Sequence, residues 1–267
     1  MGVERPCRPG PGLRRLIVEL RDPAGRRRHG RCFVEGPGPV RHAVDAGVAV
    51  ERLIVSWRLL TEPGARQAAR RLRRSGVPCD LVSPEAFREL SSQRRASGIA
   101  AVVRPRWTRL DRVDPRAGGT WLVISRVRSP GNLGTLVRSL SAFGGGGLVL
   151  LGDATDPFDP AVVRASMGSV FDVDVCRTDA EAVRAWREAL GIEILGATAD
   201  AEQRFDTLDW PPGALIFVGD ERQGLSASER SLCDRLVRIP IRAEVDSLNV
   251  AVAGSLLLYR AYAARSS

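Results

Sequence analysis

Short apolar strands that alternate with helices constrain this chain more than any other feature of its sequence. In the second half we predict strands at 121–127, 147–151, 192–198, 214–218 and 236–239, and helices at 132–143, 159–166, 180–190, 226–233 and 247–263. In the first half we predict strands at 50–57, 77–82 and 98–103, and helices at 40–48, at 65–75 and from Ser83 onward. Such alternation is typical of α/β layers. The sequence therefore predicts an α/β protein.

A polar stretch at residues 104–119 separates the two α/β segments. It carries several charges, two prolines and a glycine pair, which is typical of a linker. It divides a smaller unit, 30–103, from a larger one, 120–267. Residues 1–29 are polar and rich in arginine, and we predict that they form a basic N-terminal tail.

The cysteines indicate neither a disulfide framework nor a metal site. There are five (Cys7, Cys32, Cys79, Cys176 and Cys233), an odd number, and no two have a metal-ligand spacing. The residues before Pro11 lack the apolar core of a secretory signal, and no apolar run approaches the roughly 18–20 residues of a membrane span. We therefore expect a cytoplasmic protein with reduced, mostly buried cysteines, no metal and no membrane partner.

The formal net charge of +9 suggests an anionic partner, and nucleic acid is the commonest one. The chain contains no lysine, so all 40 strongly basic side chains are arginines, and it contains only two asparagines. This bias is typical of a GC-rich genome. The excess of arginine over lysine is therefore no recognition signal, whereas the total charge is.

Three segments carry candidate chemistry, and each lies where a predicted strand or loop meets a helix. The first, 129–138 (SPGNLGTLVR), puts Asn132 at the start of a helix and Arg138 less than two turns further. The second, 215–226 (LIFVGDERQGLS), runs from an apolar strand into a charged loop where Gly219 allows close approach to a flat ligand. The third, 237–253, contains Ser247, which we predict caps the C-terminal helix. Both asparagines of the chain, Asn132 and Asn249, lie in these segments.

In this order, the three segments resemble the signature motifs of the SpoU (TrmH-like) family of RNA 2′-O-ribose methyltransferases, within the SPOUT superfamily. The resemblance covers residues 120–267. Residues 30–103, through the sequence FVEG at 33–36 and the stretch 90–102, resemble the family's N-terminal substrate-binding domain, which is similar to a small ribosomal protein. The two-domain layout resembles that of rRNA enzymes, including thiostrepton-resistance methyltransferases.

The resemblance implies a C-terminal SPOUT domain with a deep trefoil knot, an exception to the rule that chains do not thread loops. It also implies a homodimer that binds S-adenosylmethionine in the knot. The implied cofactor-binding residues are Thr198, Ala199, Gly219, Ile239, Leu248 and Asn249. The implied catalytic residues are Arg138, Asn132, Glu221, Ser247 and Asn249. The residues expected to face RNA are Arg128, Arg164 and Arg222, the last at a position where the family often has a small residue.

Two roles are open to Arg138. The family's motif arginine is usually assigned as the base that deprotonates the ribose 2′-hydroxyl, although a guanidinium is normally protonated. The site could lower its pKa through desolvation and nearby positive charge. Alternatively, a charged Arg138 could bind the adjacent phosphate and stabilise the developing alkoxide.

Other functions are less compatible with the sequence. The glycines at 144–147 are not followed by Lys-Ser/Thr, and Gly36-Pro37-Gly38 does not fit the dinucleotide fingerprint, so nucleotide-binding enzymes are disfavoured. A non-catalytic RNA-binding protein and a tRNA methyltransferase stay open. The N-terminal domain favours rRNA, because shorter relatives without it modify tRNA. Antibiotic resistance is a further hypothesis, compatible with a GC-rich producer organism.

Overall fold

The computed structural model describes residues 8–266. Met1–Cys7 and Ser267 lie outside the described residues, and so does the corresponding part of the predicted tail. The chain forms two compact units. The N-terminal unit comprises the described residues up to Arg106 together with Phe158–Asp172, and the C-terminal unit comprises Trp107–Pro157 and the residues from Val173 onward. The chain therefore passes between the units three times, and the first passage lies inside the predicted linker 104–119.

The N-terminal unit contains a four-stranded mixed sheet. Its strands are β1 (Cys32–Glu35), β2 (Ala49–Val55), β3 (Cys79–Leu81) and β4 (Ile99–Arg104), in the order β1-β4-β2-β3. β4 is antiparallel to β1 and β2, and β3 is parallel to β2. The helices are α1 (Pro11–Glu19), α2 (Pro23–His29), α3 (Pro37–Asp45), α4 (Pro63–Arg74) and α5 (Pro84–Leu90). All five begin with proline, whose fixed φ suits the first helical position.

The structure differs from the predicted basic tail between residues 11 and 29. This stretch forms α1 and α2, and Leu13, Ile17 and Leu20 are buried against Phe33 and Phe87. The apolar residues recur at helical spacing, which places them on one face of α1. Arginine-rich composition around them concealed this pattern in the sequence.

The C-terminal unit contains a seven-stranded sheet in the order β7-β6-β5-β10-β8-β11-β9. The strands are β5 (Trp121–Ile124), β6 (Gly147–Leu151), β7 (Asp174–Thr178), β8 (Ile194–Ala197), β9 (Gln203–Arg204), β10 (Leu215–Val218) and β11 (Arg235–Arg238), and all neighbours are parallel. The helices along this part of the chain are α6 (Pro115–Gly118), α7 (Pro130–Ala142), α8 (Pro160–Ala165), α9 (Ala180–Leu190), α10 (Ala227–Arg230) and α11 (Val250–Ser266).

The predicted α/β class with a smaller N-terminal domain is confirmed. The trefoil knot stays a prediction.

The segment 158–172, which carries α8, belongs to the N-terminal unit although it lies between β6 and β7 in sequence. The buried Arg26 donates to the carboxylate of Asp159 at 3.1 Å, and His42 lies 3.0 Å from the carboxylate of Asp172. Gly168 has φ of 94°, and a Cβ there would lie 2.8 Å from the Cα of Pro39. These contacts fix both ends of the segment on the N-terminal unit.

Some predicted elements differ in extent from the observed ones. Strand β7 was not predicted, because Asp174 and Arg177 interrupt its apolar pattern. The predicted helix 226–233 is reduced to the four residues of α10. None of the helices within residues 8–266 combines the length and the hydrophobicity that a membrane span requires.

The burial of α1 leads to a stability prediction. We expect Ile17→Ala to lower the free energy of unfolding by about 2–5 kcal/mol, because a fully buried side chain is truncated. The adjacent Val18 is 60% exposed, so Val18→Ala should change stability by no more than about 0.5 kcal/mol. Urea denaturation of both variants measures the difference. Equal, small effects would contradict the packing of α1 in the core.

Candidate active site

Loops that follow β8, β10 and β11 meet at the carboxyl edge of the parallel sheet, where α/β proteins bind ligands. They enclose a cleft of about 340 Å³, a volume within the range of small-molecule sites. The apolar part of the lining includes Val218, Val237, Ile239, Leu248 and Val250. The cleft therefore has an apolar wall and a polar rim.

Side-chain hydrogen bonds join the three candidate segments beside this cleft. The side-chain amide of Asn132, in the first turn of α7, donates to Oε1 of Glu221 at 2.5 Å. The side-chain amide of Asn249 donates to Oδ1 of Asn132 at 3.1 Å. Ser129, the N-cap of α7, donates its backbone N–H to the same Glu221 oxygen at 3.4 Å. Segments that are 89 and 117 residues apart in sequence are thus held at one point.

The loop after β10 is closed by its own backbone and by Asp220. The N–H groups of Asp220 and Gly224 each donate to the carbonyl of the other at 3.0 Å. Backbone hydrogen bonds from Arg222 and Gln223, together with Arg128 at 3.5 Å, hold the pKa of Asp220 below its usual value. This carboxylate is therefore ionised at neutral pH and fixes the loop.

Gly219 is required where this loop begins. A Cβ at Gly219 would lie 2.3 Å from the carbonyl carbon of Gly224, so any side chain would force the loop open. From the sequence, we expected Gly219 to let a flat ligand approach the backbone closely. In the structure, the group that lies close to Gly219 is the backbone of the same loop, at Gly224.

Two cleft residues were missed in the sequence. Arg230 donates to the hydroxyl of Thr198 at 2.9 Å and to the carboxylate of Asp200 at 3.0 Å. This contact lowers the pKa of Asp200, and both charged residues line the cleft. In the sequence, Asp200 could have been found from its position two residues after Thr198. Arg230 gave no such indication, because it lies on a separate helix, α10.

A family model described as the SpoU rRNA Methylase family matches residues 119–259. A second, described as an MRM3-like substrate binding domain, matches residues 15–101. The chain belongs to the SpoU rRNA methylase family.

Individual proteins of known name are similar over nearly the whole chain. The 23S rRNA (uridine(2479)-2′-O)-methyltransferase of Streptomyces viridochromogenes is 33% identical over 91% of this chain and 86% of its own. The crystal structure of the SpoU methyltransferase AviRb from the same organism, in complex with AdoMet, superposes with a TM-score of 0.85 at 30% identity, covering 97% and 99% of the two chains. An AdoMet-bound rRNA methyltransferase from Sinorhizobium meliloti superposes with a TM-score of 0.86 at 27% identity, covering 96% and 97%.

The site residues predicted from the family resemblance lie in three different parts of the structure. Those that line the cleft are Thr198, Ala199, Gly219, Glu221, Arg222, Ile239, Ser247 and Leu248. Asn132, Asn249 and Arg128 join it through the hydrogen bonds described above. Arg138 lies exposed on α7, and within the described residues its guanidinium group makes no hydrogen bond or ion pair. Arg164 is part of the N-terminal unit.

The structure corrects the residue that we predicted to cap the C-terminal helix. Ser247 was predicted to cap it, but α11 begins at Val250 and Asn249 is the capping residue. Oδ1 of Asn249 accepts hydrogen bonds from the backbone N–H groups of Ala251 at 2.8 Å and Val252 at 3.3 Å. The helix starts later than predicted because residues 247 and 248 are used to line the cleft.

The described part of the chain contains no group of three or more His, Cys, Asp or Glu residues that could hold a metal ion. Cys32 and Cys176 are buried, and Cys79 and Cys233 are partly buried. Burial raises the pKa of Cys176 and that of Cys233 to about 12, so both stay protonated at neutral pH.

The revised cap gives a matched pair of variants. We expect Asn249→Ala to lower stability by about 0.5–2 kcal/mol, because α11 loses its cap. Ser247→Ala should leave stability within about 0.5 kcal/mol, because no hydrogen bond of its hydroxyl is found among the described residues. Thermal denaturation of both proteins measures the difference. A larger loss for Ser247→Ala would restore the original prediction of a serine cap.

Proposed function

We propose that this chain transfers a methyl group from S-adenosylmethionine to a ribose 2′-hydroxyl of large-subunit rRNA. The observation that carries the proposal is the convergence of Asn132, Glu221 and Asn249 beside a ligand-sized cleft. The Streptomyces relative is a 2′-O-methyltransferase named for a uridine of 23S rRNA, which supports the choice of RNA. A bacterial rRNA substrate would place the protein in the cytoplasm.

The residues of the cleft fit S-adenosylmethionine. Within the described chain, the backbone N–H groups of Gly219, Ile239 and Leu248 make no hydrogen bond, so they can donate to the cofactor. The side chains of Ile239 and Leu248 supply apolar surface for the adenine. Carboxylates at Asp200 and Glu221 can accept hydrogen bonds from hydroxyl or ammonium groups, and Arg222 can bind a carboxylate.

When bound, S-adenosylmethionine would supply an electrophilic methyl group: the bond from its sulfur to the methyl carbon would break, with the electron pair left on sulfur, as the methyl carbon bonds to the ribose 2′-oxygen, and the hydroxyl proton would pass to a base or to water. Glu221 and Asn249 hold the amide of Asn132 in one orientation. The exposed guanidinium of Arg138 projects from the same helix that Asn132 begins. Arg138 would meet the ribose either as base or as a cation that stabilises the developing alkoxide.

Transfer of tritiated methyl from S-adenosylmethionine to unmodified total RNA tests the function, with rRNA and tRNA separated afterwards. We expect label in large-subunit rRNA at a single site that resists alkaline cleavage, because 2′-O-methylation removes the attacking hydroxyl. Label in tRNA would overturn the choice of substrate and keep the chemistry. No label together with no cofactor binding would favour a non-catalytic RNA-binding protein.

Arg138→Ala tests the reaction centre. We expect turnover to fall at least about 10³-fold, because positioned charge and proton transfer each contribute on this scale. The affinity for S-adenosylmethionine, measured by calorimetry, should be unchanged, since Arg138 does not line the cleft. Near-normal turnover would contradict the assignment. In Arg138→Lys, a shift of the pH–rate profile to lower pH would favour the base, and a raised KM for RNA at an unchanged profile would favour the cation.

We also propose that the chain acts as a homodimer through α11. Val252, Leu256, Tyr259 and Tyr262 recur at helical spacing and are 48%, 37%, 56% and 43% exposed. Phe143 extends this surface, since its ring centroid lies 5.5 Å from that of Tyr259. An apolar patch of this kind on a helix otherwise packed on α7 is typical of an interface.

Analytical ultracentrifugation tests the dimer. We expect a dimer for the wild type and a monomer for Leu256→Glu, because burying a carboxylate in an apolar interface is costly. Val18→Glu is the matched control, since Val18 is an exposed apolar residue of the N-terminal unit. A monomeric wild type, or a dimeric Leu256→Glu, would contradict the proposed interface.

The family resemblance also suggests a biological role for this activity. We propose that methylation of rRNA by this chain protects the ribosome against an antibiotic. A host that expresses the active enzyme should then tolerate thiostrepton or a related drug better than the same host with Arg138→Ala. Equal tolerance would exclude protection against the drugs tested.

A further inference from the structure

A short helix beside the cleft of the C-terminal unit carries Arg230 as its last residue. This helix, α10, has only four residues, but a capping box closes its first turn. The backbone N–H of Glu229 donates to Oγ of Ser226 at 3.3 Å, and the N–H of Ser226 donates to Oε2 of Glu229 at 2.7 Å. Because these bonds satisfy two backbone donors at the helix start, the backbone that presents Arg230 is fixed before any ligand binds.

The guanidinium group of Arg230 joins two loops that line the cleft. Its Nη2 donates to Oγ1 of Thr198 at 2.9 Å and to Oδ1 of Asp200 at 3.0 Å, both in the loop after β8. Its Nε donates at 3.3 Å to the carbonyl oxygen of Leu225, where the loop after β10 ends. Leu225 is buried in the core of the C-terminal unit. Arg230 therefore connects the loop after β8 to a residue anchored in the core.

The loop after β8 has few other contacts that fix its position. Its first residue, Thr198, donates its backbone N–H to a carbonyl of β11 at 3.0 Å, and Ala201 beyond it is buried. Between them, the exposed Ala199 and Asp200 make no backbone hydrogen bond within the described residues. Segments with so few bonds open locally at low cost. The position of this wall of the cleft thus depends on the side-chain bonds to Arg230.

The charge of Arg230 is balanced within the same contact. Hydrogen bonds from Arg230 and from the hydroxyl of Thr198 lower the pKa of Asp200, so this carboxylate is ionised at neutral pH. S-adenosylmethionine carries a positively charged sulfonium, which an unpaired guanidinium in the cleft would repel. The paired guanidinium can hold the wall of the cleft without opposing the charge of the cofactor.

We propose that Arg230 is a positioning residue for cofactor binding, which holds the loop at 198–200 against Leu225 and so preforms one wall of the cleft. It acts through Thr198 and Asp200 and not on the reacting atoms. A preformed wall reduces the ordering cost that binding must otherwise overcome. Arg230 would therefore determine how tightly the cofactor is held. The identity of this cofactor as S-adenosylmethionine rests on the proposed function.

The test compares full-length variants for binding of S-adenosylmethionine in the absence of RNA. The variants are Arg230→Ala, Thr198→Val, the two combined and, as matched control, Arg204→Ala. Arg204 forms an ion pair of the same kind with Asp206 at 2.7 Å, but it does not line the cleft. Isothermal titration calorimetry gives the Kd, and methyl transfer to an in vitro transcript of 23S rRNA gives KM and kcat.

We expect Arg230→Ala to bind S-adenosylmethionine about 5- to 50-fold more weakly, because the charged hydrogen bonds that fix the wall are lost. KM for the cofactor should rise by a similar factor, while kcat at saturating cofactor should stay within about twofold, since the wall is not part of the reaction centre. Arg204→Ala should change the Kd less than about twofold. An Arg230→Ala protein that binds the cofactor like this control would overturn the proposal.

Thr198→Val separates positioning from an independent contact with the cofactor. It removes the hydroxyl that accepts from Arg230 and keeps the size of the side chain. It should weaken cofactor binding in the wild-type background and add less than about twofold in the Arg230→Ala background, because both changes release the same loop. Fully additive losses would overturn the positioning role.

Hydrogen exchange of the ligand-free protein measures the position of the loop directly. The amide of Thr198 should exchange faster in Arg230→Ala than in the wild type, because the loop opens at lower cost. Asp200→Asn, a change of an exposed side chain, should have the same effect to a smaller degree, and it replaces Arg230→Ala if that variant does not fold. Exchange at the wild-type rate in these variants would contradict the proposed link between the loops.

The same measurements separate this proposal from the proposed function. Cofactor binding that depends on Arg230, without methyl transfer to RNA, would contradict the function and support the positioning role. Methyl transfer together with an unchanged cofactor affinity in Arg230→Ala would support the function and overturn the positioning role.

Discussion

The contacts of Asn132 with Glu221 and Asn249 are the interactions on which the rest of the candidate site depends. They join the start of α7, the loop after β10 and the cap of α11. Neither the loop at 219–224 nor the stretch 239–249 contains a helix, so their backbone needs fixed contacts to form the walls of a cleft. A hydrogen bond to an ionised carboxylate contributes about 1.5–3 kcal/mol, enough to select one loop conformation among several.

Tight packing of α11 on α7 makes these hydrogen bonds possible. A Cβ at Gly254 would lie 2.3 Å from Cδ2 of Leu136, so any side chain at this position of α11 would require the side chain of Leu136 to shift. The hydroxyls of Ser139 and Ser255 are 2.7 Å apart across the same pair of helices. Close packing along the helices places Asn249, just before α11, within reach of Asn132. The geometry of the site is therefore a consequence of helix packing as well as of loop sequence.

The sequence predicted those features that are encoded locally. The apolar strand at Leu215–Val218 and the helix at Ala180–Leu190 were recognisable because their patterns are continuous. The start of the helix at Ser83 was also predictable, because its cap depends on a side chain and an amide only three residues apart. The family resemblance supplied most of the cleft lining. Pattern alone gave the three candidate segments and the position of Gly219 in a charged loop.

Features that depend on distant partners could not be predicted from the sequence. The two-residue error in the α11 cap arose because Ser247 and Asn249 are both good capping residues, and only the contact with Asn132 selects between them. Arg230 joins the cleft through Asp200, 30 residues away on another element. The assignment of 158–172 to the N-terminal unit depends on Arg26 and His42, which are more than a hundred residues earlier in the chain.

The distribution of arginine shows why net charge alone is a poor guide to an RNA-binding surface. Many arginines are paired with acidic residues, for example Arg109 with Asp111 and Arg204 with Asp206. In these pairs the acidic side chain's pKa is lowered by the hydrogen bond from arginine, and the positive charge is largely neutralised. Only guanidinium groups without a carboxylate partner attract phosphate strongly. The surfaces on which the excess charge of +9 is exposed are therefore set by where acidic residues are missing.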